Sequence, residues 1–338
     1  MATGAVSADE LRQRLIDGDE LALLDAREQG TYHRSHLFHA ACVPVSNLEL
    51  VLDHLVPRRS TPIVWCDAEG ADDGLARRAA VRAAELGWTA NAVLTGGVAA
   101  WERAGGELYS GVNVPSKAFG EYVEHTFDTP RLPATEVNDL LQASARGEAD
   151  VVVLDSRPME EFRRMSIPTG TDCPGAELVH RVKELVPNPS TTVVVNCAGR
   201  TRSIIGAQSL INAGLENPVV ALENGTMGWE LAGLTVDRGR EVHAPEPGPS
   251  SRAWAEAAAA EVGRRFGVRH LTLDEVDGWR ADTGRTTYLL DVRTPEEFEA
   301  GHLAGSRNAP GGQLVQATDE YVATLGARLV LIDDNEVR

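Results

Sequence analysis

The stretch Val193-Val194-Val195-Asn196-Cys197-Ala198-Gly199-Arg200-Thr201-Arg202-Ser203 changes character at its cysteine. The β-branched run before it predicts a buried strand. Beyond it, Ile204 to Ile211 carries helical spacing, and Gly214 supplies a stop. Cys197 therefore falls between the end of a strand and the start of a helix. Loop amides at such a junction turn inward, and the helix N-terminus adds a partial positive charge. Arg200 and Arg202 add two full charges. All three effects favour the thiolate, which is the nucleophilic form. A cysteine after an apolar strand is more commonly a small buried hydrophobe. Here loop, helix start and arginines converge on what a reactive thiol needs.

The surrounding chain repeats itself. Leu23-Leu24-Asp25-Ala26-Arg27 recurs as Val153-Leu154-Asp155-Ser156-Arg157 and as Leu289-Leu290-Asp291-Val292-Arg293, at separations of 130 and 136 residues. These spacings are the size of a small domain. Acidic residues and an aromatic follow each copy, and His36, Ser166 and His302 lie eleven residues past each aspartate. In the first copy Ser7-Ala8-Asp9-Glu10 is a capping-box pattern, and Pro62 to Cys66 is a strand that ends, like the central one, on a cysteine. Helices are expected over Leu48–Leu55 and Leu75–Leu86. Strand–helix alternation gives α/β domains with mainly parallel central sheets flanked by helices, whose sites lie at the carboxyl ends of the strands.

The spacing sets the expected domains: 1–110, a connector at 111–130, 131–236, a linker and helix at 237–267, and 268–338. Residues 105–131 are punctuated by glycine and proline. Pro245, Pro247 and Pro249 mark a solvent-exposed linker, and Ala253 to Phe266 reads as a linker helix. In the third copy the strand ends at Asp333, 42 residues past Asp291, as Cys197 lies 42 past Asp155. An aspartate thus stands where the thiol would be. The third copy also stops before the elements that finish the other two. A truncated chain, or something else covering an open sheet edge, is expected.

Composition narrows the function. The 338 residues carry a formal net charge of −18, which argues against nucleic acid and anionic membranes as partners. No apolar run is long enough to cross a bilayer, and no basic-then-apolar leader is read. Four cysteines without a CxxC pair suggest neither a disulfide framework nor zinc, and a reducing cytoplasm is expected. Two lysines against thirty arginines is a skew expected of a GC-rich bacterial genome.

The Asp155-Ser156-Arg157 motif, the loop from Cys197 to Ser203, and Asn224-Gly225 leading to Trp229 resemble the rhodanese family of sulfurtransferases in its multi-domain, tandem-repeat form. The resemblance implies that Cys197 takes a sulfane sulfur from a small anionic donor such as thiosulfate. A cysteine persulfide forms and passes its sulfur to cyanide or a thiol. The amides of Ala198, Gly199, Thr201 and Ser203 would cradle the sulfur, and Arg200 and Arg202 would bind the donor oxyanion. Asp155 and Arg157 would pair and fix the loops. Neither cofactor nor metal is implied.

Two other readings stand beside this one. A phosphatase of the same fold uses Cys-x5-Arg, whereas Arg202 follows Cys197 after four residues, a loop that encloses a smaller anion. A non-catalytic scaffold suits the first copy, where Asp67, Glu69, Asp72 and Asp73 replace the arginines. They would raise the Cys66 thiol pKa and repel an anionic donor. Cys173, ahead of Pro174-Gly175, is expected to be buried, with a resolving thiol as the alternative.

Overall fold

The computed structural model describes residues 4–338. Each repeat builds on its own sheet. In the first, parallel strands run in the order Gly4–Val6, Asn91–Leu94, Ile63–Cys66, Leu21–Asp25, with Ala41–Cys42 beyond. The second sheet repeats this order: Arg131–Leu132, Val219–Leu222, Thr192–Asn196, Val151–Asp155, Thr171–Asp172, all parallel. The third holds Arg328–Ile332, Thr287–Asp291 and Arg307–Asn308. Central strands covered by helices on both faces are apolar along their whole length rather than alternating. This explains why Leu21–Asp25 is buried at every position.

Small residues let helices approach these sheets. Ala76, Ala79, Ala80 and Ala83 form one buried stripe on helix Leu75–Glu85. The first helix, Ala8–Asp17, starts at the Ser7–Glu10 capping box and ends at Gly18 in the left-handed region.

The third repeat closes against both others. Its segment Thr324–Leu325 leaves its own sheet and pairs antiparallel with Leu21–Ala22. The Tyr288 hydroxyl donates to the Leu55 carbonyl at 2.5 Å, and the Thr286 amide donates to Glu20 at 2.7 Å. Toward the second repeat, Arg338 reaches Glu177 at 2.5 Å, and Gly312 packs so closely on Gly175 that a Cβ there would lie 3.0 Å from its amide nitrogen. Strand Arg328–Ile332 pairs on one side only among the described residues.

The connector and the linker carry more structure than their glycine and proline content suggests. The connector contains a 14-residue helix, Val114–Phe127, packed against helix Thr201–Asn212. Its buried side includes Ser116, Gly120 and Glu124, so hydrophobic spacing does not announce it. The linker is not simply exposed: Val242 and Ala244 bond the Asp172 backbone at 2.8 Å, and Ala244 is buried. It thereby covers the edge of the second sheet. The linker helix starts at Pro249, four residues ahead of the expected Ala253.

Candidate active site

Strand Thr192–Asn196 delivers Cys197 to the carboxyl end of the second sheet, and helix Thr201–Asn212 begins four residues later. Between them the loop is held from outside. The amides of Thr226 and Met227 donate to the carbonyls of Cys197 and Ala198 at 2.8 and 3.0 Å. Asn224 and Gly225 both take positive φ, and a Cβ on Gly225 would lie 2.3 Å from the Cys197 carbonyl oxygen and 2.6 Å from that of Gly199. Only glycine permits this approach. Asn196 ties the arrangement to the neighbouring strand, donating to Asp155 at 2.7 Å and to Thr226 at 2.9 Å.

With the carbonyls turned outward, the amides are left free. Among the described residues no acceptor takes the amides of Ala198, Gly199, Arg200, Thr201, Arg202 or Ser203. The first intrahelical bond is Ile204 to the Arg200 carbonyl. The Ser203 hydroxyl donates back to that same carbonyl at 2.8 Å, which fixes the helix start. Six unpaired N–H groups at the start of a 12-residue helix make an anion cradle, and Cys197, 2% exposed, immediately precedes it in the chain.

The arginines are arranged differently from the expectation that both face the donor. Arg200 turns to Glu124 and Glu121 on helix Val114–Phe127. Arg202 forks onto Glu161, with both bonds at 2.8 Å, and reaches Gln313 of the third repeat at 3.4 Å. Burial opposes the Arg202 charge, but the hydrogen bonds and charge of Glu161, with Cys197 and Asp155 nearby, hold its pKa above the ordinary arginine range. Arg202 thus lends a fixed positive charge to the Cys197 region, with both of its amino groups already committed. Arg157 lies on Asp155 through bonds of 2.8 and 2.7 Å and caps the Met165 carbonyl. The glutamates were missed as site residues, because they lie far away in sequence and only the fold brings them in.

The other repeats fill the same loop from within. In the first, the Asp67 carboxylate accepts the amides of Glu69, Gly70 and Ala76 at 3.1, 2.6 and 2.8 Å, so the cradle already holds an anion. Burial, then the charge of Asp25, push the Cys66 thiol well up. In the third, Asp333 accepts the amides of Val337 and Arg338 at 2.8 and 3.1 Å, and Arg338 pairs with Glu297 as Arg202 pairs with Glu161. Cys173 is fully buried, and burial raises its thiol pKa too; Cys42 is pushed up to about 12, chiefly by burial. His36 and His302 stack on Tyr32 and Phe298 and bond backbone carbonyls, which makes them structural.

The family model of the rhodanese-like domain matches residues 7–104, 136–232 and 272–338. The chain belongs to the rhodanese-like family. Over 99% of its length it superposes on a crystal structure of a thiosulfate sulfurtransferase from Pseudomonas aeruginosa, at 51% identity and a TM-score of 0.95; it spans 62% of that chain. It is 34% identical over 104 residues to a helix-turn-helix-type transcriptional regulator of Mycobacterium tuberculosis, a match covering 31% of this chain and 44% of that one. It is 53% identical over 36 residues to the YqhL protein of Bacillus subtilis, covering 11% of this chain and 29% of that one. The chain therefore spans less than two thirds of the length of each of these relatives. Among the described residues no helix is long and apolar enough to cross a membrane.

Proposed function

We propose that this protein is a sulfurtransferase in which Cys197 carries sulfane sulfur from thiosulfate to cyanide or a thiol. One observation carries the reading: of three related loops, only the one headed by Cys197 keeps its amides free of an internal carboxylate. The likeness to the thiosulfate sulfurtransferase from Pseudomonas aeruginosa, at 51% identity, supports it.

In the first step the Cys197 thiolate attacks the outer sulfur of thiosulfate. A bond forms between Sγ and that sulfur, the donor's S–S bond breaks, and its electron pair leaves with sulfite. The persulfide's terminal sulfur carries the negative charge, and the amides of Ala198 to Ser203 face it. Arg202 supports this charge from behind as a positioning residue held by Glu161. Arg200, about two-fifths exposed, sits at the rim beside Glu121, where an entering oxyanion would compete for its guanidinium. In the second step the acceptor's lone pair takes the terminal sulfur and the thiolate returns. The first and third repeats serve as scaffold. Four unpaired cysteines suit a reducing, cytoplasmic setting.

The test is thiocyanate formation from thiosulfate and cyanide. Cys197→Ser is expected to abolish it and Cys66→Ser to leave it intact. Activity of Cys197→Ser near wild type would overturn the proposal.

A further inference from the structure

One cavity lies away from Cys197, at the junction of the first and third repeats. It is an open cleft of about 620 Å³, within the range of small-molecule sites. Arg58, Arg59, Arg280, Arg285 and Arg307 line it, against the carboxylates of Asp53 and Asp282. Five guanidinium groups around one cavity stand out in a chain of net charge −18.

The carboxylates do not balance them. Asp53 is taken by Arg59, and Asp282 by Arg328, which is not part of the lining, at 2.8 Å. Arg58 is held by Glu20 from outside the lining. Three cations are left. Arg280 has only a 3.5 Å contact with Asp277, and Arg285 donates its Nε to the Gly326 carbonyl at 2.8 Å. Arg307 has no hydrogen-bond or carboxylate partner among the described residues. One of its amino groups is buried without an acceptor, and its guanidinium meets only the Tyr321 ring, 5.3 Å away. Gly305 takes a φ of +85°, and a Cβ there would come 3.0 Å from an Arg280 amino group, so this chain turn brings Arg280 beside the strand of Arg307.

A half-buried guanidinium with one amino group shut off from water and no counter-charge is costly, and an anion from solution reduces the cost. Guanidinium forks match tetrahedral oxyanions bidentately. We infer that this cavity is a binding site for a polyvalent oxyanion of the pyrophosphate or polyphosphate class, held by Arg280, Arg285 and Arg307. The site is separate from the Cys197 loop.

The experiment is calorimetric titration of the 338-residue chain with inorganic pyrophosphate, with sulfate as the single-tetrahedron comparison. Saturable one-to-one binding of pyrophosphate is expected, and sulfate is expected to bind more weakly. Arg307→Gln and Arg285→Gln should each weaken pyrophosphate at least about tenfold, the scale of one lost charged hydrogen-bonding group. Circular dichroism and thermal unfolding check that each variant is folded; Arg285, on the surface, serves if Arg307→Gln is not. No saturable pyrophosphate binding, or binding unchanged in the folded variants, would overturn the inference.

Discussion

Gly225→Ala separates the position of the Cys197 loop from the stability of the fold. Gly225 has a φ of +54°, and the added Cβ would lie 2.3 Å from the Cys197 carbonyl oxygen. Ordinary contact begins at 3.4 Å, and every close neighbour is backbone, so the loop must retreat by about 1 Å. The left-handed backbone costs about 1–2 kcal/mol for alanine, and overpacking adds about 1–3. The second repeat should therefore lose about 2–5 kcal/mol. A 1 Å misplacement at a reacting centre costs about a hundredfold in rate. Single-turnover sulfite release from thiosulfate should slow on that scale. Gly97→Ala is the matched control. There the Cβ would meet the Asp67 carbonyl oxygen at 2.4 Å, at a φ of +57°. Its cost in stability should be similar, read by thermal unfolding, with sulfite release unchanged. If Gly225→Ala releases sulfite at the wild-type rate, or Gly97→Ala slows it equally, the loop geometry does not govern the chemistry.

Other consequences are equally specific. At neutral pH iodoacetamide should mark Cys197 well before Cys66, whose thiol is raised by burial and by Asp25; peptide mapping that finds equal rates would contradict this. Glu161 is held below the usual carboxylate range because Arg202's hydrogen bonds and charge outweigh its burial. Its contribution is therefore present above about pH 4.5 and lost as pH falls through the depressed value. Glu161→Gln should cost about 1 kcal/mol at pH 7, screened by its partial exposure, and should converge with wild type in acid unfolding series. Asp172 is raised to about 7, by burial and then by the charge of Asp155, with Arg157 and Arg181 opposing. The folded state keeps a proton that the unfolded chain releases, so this group's contribution falls as pH rises from 3.8 toward about 7. Asp172→Asn should exceed wild type in stability at pH 8, by up to about 4 kcal/mol before the offset from His243, 3.3 Å away. The difference should vanish near pH 4; a variant less stable than wild type at pH 8 would refute the assignment.

Much of this arrangement is legible in the residues. The β-branched run into Cys197 and the helical spacing after it place the thiol at a strand–helix junction, where it is found. The recurring Asp-x-Arg motif and its 42-residue spacing to Cys197 and Asp333 mark equivalent loops in two repeats. What stays hidden is what the charged side chains choose as partners. Arg200 and Arg202 look free in sequence, yet their carboxylates lie 76 and 41 residues away and meet them only through packing. The helix carrying Glu121 and Glu124 is itself obscure, because Gly120 is where it must touch Thr201. In the first repeat the acidic loop reads as repulsion toward anions. The structure adds that Asp67 occupies the amides itself, a local turn that composition alone does not reveal.

Intact-mass measurement after incubation with thiosulfate, followed by peptide mapping, addresses the persulfide directly. A gain of one sulfur atom, located on Cys197 and absent from Cys197→Ser, is expected. An unchanged mass, or sulfur located on Cys66 or Cys173 instead, would contradict it.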